Sequence, residues 1–316
     1  MSHEPRKPQV PEPAKTDQRE EPLPWHAPKP SVEDPEGPRK LKAILNSPSY
    51  VPAVQDAAFL AGDDARGARL QLDYLKPERL LRAHGVHDTI VVFGSTRIIE
   101  PGAAQHNVDR LRIKLGAQPG DAKLQRKLAV AERILAKSHY YETAREFSRL
   151  VANAGDGPAD SRLVIMTGGG PGIMESANRG ADEAGATSIG LNITLPHEQF
   201  PNPYITPDLC FQFHYFALRK LHFLMRAKAL VAFPGGFGTL DELFETLTLV
   251  QTRKIKPVPI VLVGEDYWRK AVNVDFLVEE GVIDAEDRDL FWFAESAEDI
   301  WSGLNVWYER IGETLI

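Results

Sequence analysis

The sequence predicts an α/β protein with a doubly wound, Rossmann-like parallel sheet that carries helices on both faces. From about residue 89 onward, short and almost wholly apolar segments alternate with longer helical patterns, as is typical of buried parallel strands joined by crossover helices. Three of these apolar segments end in turns of small residues, where the strands of such a sheet usually meet a ligand crevice. Together the two observations favour a sheet with a binding site at the carboxyl ends of its strands.

The first 45 residues are predicted to form a disordered, proline-rich tail. Ten of the 24 prolines lie within residues 1–40, and few large apolar residues are present to offset the entropy of ordering. Residues 46–316 are predicted to form a single α/β domain that opens with a helical extension over residues 46–88. Pro77 is expected to divide the helical pattern of this extension into two pieces.

The strands and helices of the domain are predicted from the spacing of apolar residues and from the turn residues that bound each segment. Strands are predicted at the apolar segments 89–93, 163–166, 188–193, 210–213, 230–233 and 258–263. A charged, helix-forming region is predicted over residues 108–154, with an interruption near 118–121. The remaining helices are predicted at 173–184, 216–229, 240–251, 267–279 and 297–310.

Composition excludes several classes of protein. The net charge of −7 argues against general binding of nucleic acid or of an anionic membrane, because both need a basic surface. Cys210 is the single cysteine, which excludes an internal disulfide framework and a cysteine-built zinc site; its apolar surroundings predict a buried structural thiol. The N-terminal residues hold no apolar segment of a secretory signal, and no apolar stretch reaches the roughly 18 residues of a membrane span. We therefore expect a soluble cytoplasmic protein.

The strongest functional signal is the segment Val231–Glu242, which reads VAFPGGFGTLDE. A strand, a glycine-rich turn and a helix N-terminus in direct succession form an anion-binding cradle, because glycine lets the backbone approach a ligand and the first-turn N–H groups point at it. Neither this loop nor the loop Gly168–Gly172 fits the P-loop or dinucleotide patterns, and no lysine follows for a β- or γ-phosphate. The pattern therefore favours a phosphorylated small molecule with a single phosphate.

The three small-residue turns are expected to line one crevice. The residues assigned there to substrate binding are Gly94, Ser95, Gly169, Gly170, Met174, Glu175, Lys220, Gly235, Gly236, Gly238 and Thr239. Glu175 occupies the first turn of the helix after the second glycine loop, from which it would flank the pocket.

Two charged residues are candidates for the chemistry. Glu242 could close a capping box of the form T-x-x-E with Thr239 as the N-cap. It could also stand beside a ribose, where a carboxylate stabilises an oxocarbenium-like centre or activates water. Arg219 lies in a mostly apolar helix, where it could form a structural salt bridge or extend its guanidinium to solvent; alternatively it faces the crevice, where it contacts the phosphate or fixes the carboxylate of Glu242.

The segments TGGGPGIMESANRGA, FALRK and FPGGFGTLDELFE resemble the LOG family of cytokinin riboside 5′-monophosphate phosphoribohydrolases, many of which carry the label lysine decarboxylase. The resemblance extends over residues 89–263. It implies hydrolysis of the N-glycosidic bond of a purine nucleoside 5′-monophosphate, either AMP or a cytokinin riboside monophosphate, to the free base and ribose 5-phosphate. It further implies that Arg219 and Glu242 are catalytic, that the glycine loops bind the phosphate, and that the chain forms a homodimer or a larger homo-oligomer. No metal site is evident, and this hydrolysis needs neither a metal nor a cofactor.

The chain departs from the compact plant-type members of that family in two respects. The plant-type sequence M-H-E-R-K is replaced by FALRK, so we expect recognition of the base to differ from that of the plant-type enzymes. The N-terminal tail, the helices up to His84 and the region 108–154 are additional, and they resemble the longer bacterial branch.

Two other functions stay open at this point. The first is a non-catalytic nucleotide-binding protein or a carrier similar to molybdenum-cofactor carriers, although a carrier would not need both Arg219 and Glu242. The second is a decarboxylase dependent on pyridoxal phosphate, which needs a Schiff-base lysine and a partner for the pyridinium nitrogen. Nothing in the sequence identifies either group.

Overall fold

The computed structural model describes residues 10–13, 15, 17, 21–23, 27–196 and 200–316. The chain divides into two units, residues 1–66 and residues 67–316. This division falls inside the helical extension predicted over residues 46–88, and the single-domain boundary at residue 46 stays a prediction.

The described part of the first unit contains the short helices α1 (Gly37–Leu45) and α2 (Ala57–Ala61). Helix α1 corrects the C-terminal end of the predicted disordered tail. Pro38 lies in its first turn, where the missing N–H leaves no hydrogen bond unmade, and no further proline occurs before Pro48. The rest of the predicted tail falls partly outside the described residues, and there the disorder stays a prediction.

The second unit is built on a parallel sheet with seven described strands. They are β1 (Asp88–Phe93), β2 (Leu163–Thr167), β3 (Ser188–Ile193), β4 (Cys210–Phe213), β5 (Ala227–Ala232), β6 (Ile260–Val263) and β7 (Trp292–Ala294). Their spatial order is β4-β3-β2-β1-β5-β6-β7, and every neighbouring pair is parallel. This arrangement confirms the predicted fold class.

Helices cover both faces of the sheet. The described helices that follow α2 are α3 (Arg66–Ala83), α4 (Pro101–Ala117), α5 (Ala122–Lys137), α6 (His139–Ala152), α7 (Ile173–Glu183), α8 (Phe216–Met225), α9 (Phe237–Gln251), α10 (Glu265–Ala271), α11 (Val274–Glu279) and α12 (Ala297–Arg310). Helices α4 and α5 pack against each other in an apolar cluster of their own. One apolar core packs α6, α7 and α12 against the sheet, and a second packs α3, α8, α9 and α10 against its other face. Within the described residues, no helix is both long enough and apolar enough to cross a membrane.

Helix α3 runs continuously through Pro77, so the predicted break is wrong. A proline inside a helix removes one backbone hydrogen bond and costs roughly 3 kcal/mol. Contacts beyond the proline offset this cost, because Leu81 is fully buried and Arg226 donates from Nη2 to Glu78 Oε1 at 2.8 Å. Propensity alone cannot anticipate such anchoring.

The strand order places a topological switch point between β1 and β5. The chain leaves β1 towards β2, β3 and β4 on one side, and then returns to β5 on the other side of β1. The connections that follow β1 and β5 therefore diverge, and they open a crevice at the carboxyl ends of these strands.

Candidate active site

A cleft of about 510 Å³ opens at this switch point. The loops that follow β1, β2 and β5 all contribute to its lining, together with one side of α8. The candidate residues that line it are Gly94, Ser95, Met174, Arg219, Gly236, Gly238, Thr239 and Glu242. The candidates outside its lining are Gly169, Gly170, Glu175, Lys220 and Gly235.

The N-terminus of α9 faces the cleft without a side-chain cap. The helix begins at Phe237 with Gly236 in the N-cap position, and no side chain of the described residues caps it. Thr239 is therefore the third residue of the helix, so its assignment as the N-cap is wrong, and the capping-box alternative for Glu242 is excluded with it. Since the first N–H groups of a helix have no intrahelical acceptor, those of Phe237 and Gly238 are available to an anion in the cleft.

Glycine is needed at different positions of this loop for different structural reasons. A Cβ at Gly235 would collide with the side chain of Thr239, and the Gly235 carbonyl accepts a hydrogen bond from the hydroxyl of Tyr267. Gly236 and Gly238 have open space where a Cβ would stand. Gly235 therefore keeps the turn tight against the helix, whereas Gly236 and Gly238 leave room for a ligand close to the backbone.

The second glycine loop supports the cleft more than it lines it. Gly172 has a φ of +74°, and a Cβ there would meet the backbone of Ser95 and Thr96. The next residue, Ile173, donates its N–H to the Ser95 carbonyl at 3.2 Å. The loop therefore holds the turn after β1 in place.

Gly169 and Gly170 are tied into a buried amide network behind the cleft. A Cβ at Gly169, whose φ is +72°, would collide with the side chain of Asn192. Asn202 donates from its backbone N–H to the Gly169 carbonyl at 2.9 Å, and from Nδ2 to the Gly170 carbonyl at 3.1 Å. These contacts explain why the two glycines do not reach the cleft.

Glu242 and Arg219 form a desolvated pair in the cleft wall. Arg219 Nη2 lies 3.6 Å from Glu242 Oε1, and Glu242 is only 6% exposed. Burial raises the pKa of Glu242 to about 7, although the neighbouring Lys220 and Arg219 act in the opposite direction. A carboxyl group with this pKa exists in both protonation states near neutral pH.

The guanidinium of Arg219 is itself held in an apolar setting. It lies over the rings of Phe216 and Phe223, 4.8 Å and 5.7 Å from their centroids. Burial lowers the pKa of Arg219, and the charge of Glu242 partly opposes this effect. Its Nε is buried without a hydrogen-bond partner among the described residues, so a donor is left for a ligand in the cleft.

Lys220 and Glu175, both predicted to bind substrate, are engaged elsewhere. Lys220 Nζ lies 2.9 Å from Asp241 Oδ2, 2.8 Å from Glu245 Oε2 and 3.9 Å from Glu242 Oε2. Glu175 accepts a hydrogen bond from the hydroxyl of Tyr141 at 2.9 Å. Their polar groups are thus directed at neighbouring side chains, which a sequence pattern does not reveal.

Sequence reasoning missed Arg97 and Phe237, which both line the cleft. Arg97 lies two residues after Ser95 in the turn that follows β1. A positively charged residue beside small residues in a predicted phosphate-binding turn could have identified it as a candidate. Phe237 occupies the variable position of the glycine loop and is 92% exposed. An aromatic residue at that position carries no pattern that distinguishes it from a core residue.

Comparisons with known proteins agree on one group of relatives. A family model described as possible lysine decarboxylase matches residues 174–304. The probable cytokinin riboside 5′-monophosphate phosphoribohydrolase LOG4 of Oryza sativa subsp. japonica is 29% identical over 163 residues, which cover 50% of this chain and 69% of the rice protein. In Arabidopsis thaliana, LOG3 is 28% identical over 160 residues (48% of this chain, 72% of LOG3), and LOG1 is 30% identical over 152 residues (46% and 69%). Both Arabidopsis proteins are named as cytokinin riboside 5′-monophosphate phosphoribohydrolases.

Proposed function

The chain belongs to the LOG family of phosphoribohydrolases, and from this we propose that it hydrolyses the N-glycosidic bond of a purine nucleoside 5′-monophosphate to the free base and ribose 5-phosphate. One observation carries the proposal. The buried pair of Arg219 and Glu242 lies in the same cleft as the uncapped N-terminus of α9. A phosphate site and a carboxyl group with a pKa near neutrality thus share one cleft.

The phosphate is proposed to lie against the N-terminus of α9. There the N–H groups of Phe237 and Gly238 would donate to its oxygens, and the helix dipole would favour its negative charge. Arg97 lines the same cleft and supplies a positive charge. The cleft volume of about 510 Å³ falls within the range of roughly 300–1,000 Å³ that is usual for small-molecule sites.

Glu242 is proposed to act on the ribose carbon C1′. As the bond between C1′ and the base nitrogen breaks, its electron pair leaves with the base, and the ring becomes oxocarbenium-like. The ionised carboxylate stabilises this centre and takes a proton from the attacking water, whose oxygen forms the new bond to C1′. The nitrogen of the departing base then takes up a proton from solvent or from the protein.

No observation favours either of the two alternative functions, the decarboxylase and the non-catalytic binding protein. Among the described residues no lysine lines the cleft, and the amine of Lys220 is surrounded by three carboxylates, so no amine is placed to form a Schiff base. A binding protein would gain nothing from a desolvated Arg219–Glu242 pair, whose burial costs several kcal/mol per ion.

The proposal is tested by incubating the full chain with AMP, GMP, CMP, UMP and isopentenyladenosine 5′-monophosphate, and by measuring the released base by chromatography. We expect release from the purine monophosphates and much slower release from the matching nucleosides, which lack the phosphate. Tight binding of AMP with no base released over hours would instead support a carrier. Release of carbon dioxide from lysine would support a decarboxylase.

We also propose that the chain forms a homodimer through the outer faces of α8 and α9. Large apolar side chains are exposed there, notably Phe216, Leu221 and Phe244. Exposed apolar patches of this kind often mark interfaces between proteins. Sedimentation is expected to give a dimer for the natural chain and a monomer for Phe244→Glu. The matched control Phe276→Glu, on α11, should stay dimeric; a dimer in both variants would place the contact elsewhere.

A further inference from the structure

We propose that the groove between α4 and α5 is a second ligand site, which binds a small anion that carries several phosphates. The groove has a volume of about 570 Å³ and is distinct from the catalytic cleft. Its rim carries the cationic residues Arg97, Arg110, Lys114, Lys123, Arg126 and Lys127. No acidic residue lines it within the described part of the chain.

No carboxylate among the described residues neutralises these cations. None of the six has a carboxylate of a described residue within 4.0 Å, although ion pairs occur on the same helices just outside the groove. Arg112 on α4, for example, lies 2.8 Å from Glu132 on α5. The chain as a whole carries a net charge of −7, so an uncompensated cluster of cations is a local exception to its composition.

The placement of several of these cations works against the stability of the helices, although Lys114 lies in the last turn of α4, where the helix dipole favours a positive charge. Lys123 lies in the first turn of α5, where the helix dipole disfavours a positive charge. Lys123 and Lys127 are four residues apart, as are Arg110 and Lys114, and like charges at this spacing repel each other. Since helix stability does not account for the arrangement, an anionic ligand provides the physical reason for it.

The floor of the groove indicates which groups other than phosphate the ligand can carry. It is apolar and includes Leu111, Leu124 and Ile134. Chains of phosphates are recognised by clusters of arginine and lysine, and an apolar floor suits an organic group attached to such a chain. The shared chemistry is therefore a polyphosphate chain, free or attached to a nucleoside.

Arg97 connects the groove to the catalytic cleft, because this residue lines both. A polyphosphate in the groove would compete with the substrate phosphate for this guanidinium, and it would raise KM more than it lowers kcat. This link to catalysis rests on the proposed function, whereas binding in the groove does not.

The test is calorimetric titration of the full chain with tripolyphosphate, ATP, inorganic phosphate and AMP. The variant Lys123→Gln/Lys127→Gln removes two rim cations that lie outside the catalytic cleft. The matched control Arg133→Gln/Lys137→Gln removes the same charge from α5 outside the groove lining. Thermal melting of each variant checks that it is folded.

We expect tripolyphosphate to bind more tightly than inorganic phosphate, and the Lys123/Lys127 variant to weaken its binding about tenfold while the control leaves it unchanged. Tighter binding of ATP than of tripolyphosphate would identify the nucleoside-linked form, and equal binding the free form. Equal weakening by both variants, no weakening by either, or no polyphosphate binding at all would overturn the proposal. Because binding is read without turnover, failure of the proposed hydrolysis would not affect this result.

Discussion

The substitution Glu242→Gln is expected to lower kcat/KM for a purine nucleoside monophosphate about 1,000-fold or more, because the amide can neither accept the proton of water nor stabilise a cationic ribose. The substitution preserves the size of the side chain, so binding of AMP should change little. It also removes no helix cap, since α9 begins at Phe237 and its N-cap is Gly236. Steady-state kinetics and calorimetric binding of AMP measure the two effects separately.

The pH dependence of the natural chain should report the same carboxyl group. Burial raises the pKa of Glu242 to about 7, so the reactive ionised form accumulates as the pH rises through that value. We therefore expect kcat/KM to increase with pH up to about 7 and then to level off, while the residual rate of Glu242→Gln lacks this step.

The control for this substitution is Asp241→Asn, which removes the neighbouring and more exposed carboxylate of the same helix. It should retain most of the activity. A lower melting temperature of Glu242→Gln with turnover preserved would contradict the catalytic role and would point to a structural one.

The substitution Arg219→Met is expected to lower kcat/KM about 100-fold, because it removes a buried cation that faces the developing charges of the reaction. Arg219 Nη2 lies 3.6 Å from Glu242 Oε1, and its charge favours the ionised carboxylate. Without it, the pKa of Glu242 should rise further, and the pH profile of kcat/KM should move to higher pH. Kinetics over a range of pH values measure both effects.

The way in which the kinetics of Arg219→Met change separates the two functional roles that the sequence left open for Arg219, which are contact with the substrate phosphate and control of the Glu242 carboxylate. A shifted pH profile together with reduced kcat would mean that the guanidinium sets the charge of Glu242. An increase of KM alone, with kcat and the pH profile unchanged, would mean that it only holds the substrate. The control Arg269→Met removes an exposed arginine that pairs with Glu265, and it should behave as the natural chain does. Wild-type kinetics for Arg219→Met would contradict both roles.

The fold was predictable where strands are short, apolar and bounded by turns. The strands Ser188–Ile193 and Cys210–Phe213 have the predicted limits. Strand β7 was missed, because three residues are too few for a period to be recognised. Strand β5 begins three residues before its predicted start, since Lys228 interrupts the apolar run from which a buried strand is recognised.

The site was predictable to the level of its loops but not of every side chain. Glycine patterns indicated the cradle at α9, because close approach of the backbone is a local requirement. The same patterns could not separate glycines that leave space for a ligand, such as Gly238, from those that pack against other side chains, such as Gly169. That distinction depends on Asn192, which stands on a different strand.

The sequence by itself determined the α/β class, the three small-residue turns and the identity of Arg219 and Glu242 as candidates, because each follows from local pattern or motif. Only the tertiary structure decided how deeply these residues are buried and which charged groups lie beside them. The choice between a helix cap and a buried carboxyl for Glu242 depended on where α9 begins and on how deeply the cleft wall is packed. The pairing of Lys220, the continuity of α3 through Pro77 and the uncompensated cations between α4 and α5 likewise depend on contacts between distant segments. Desolvation and charge pairing arise between elements, and they are therefore set only when the chain is folded.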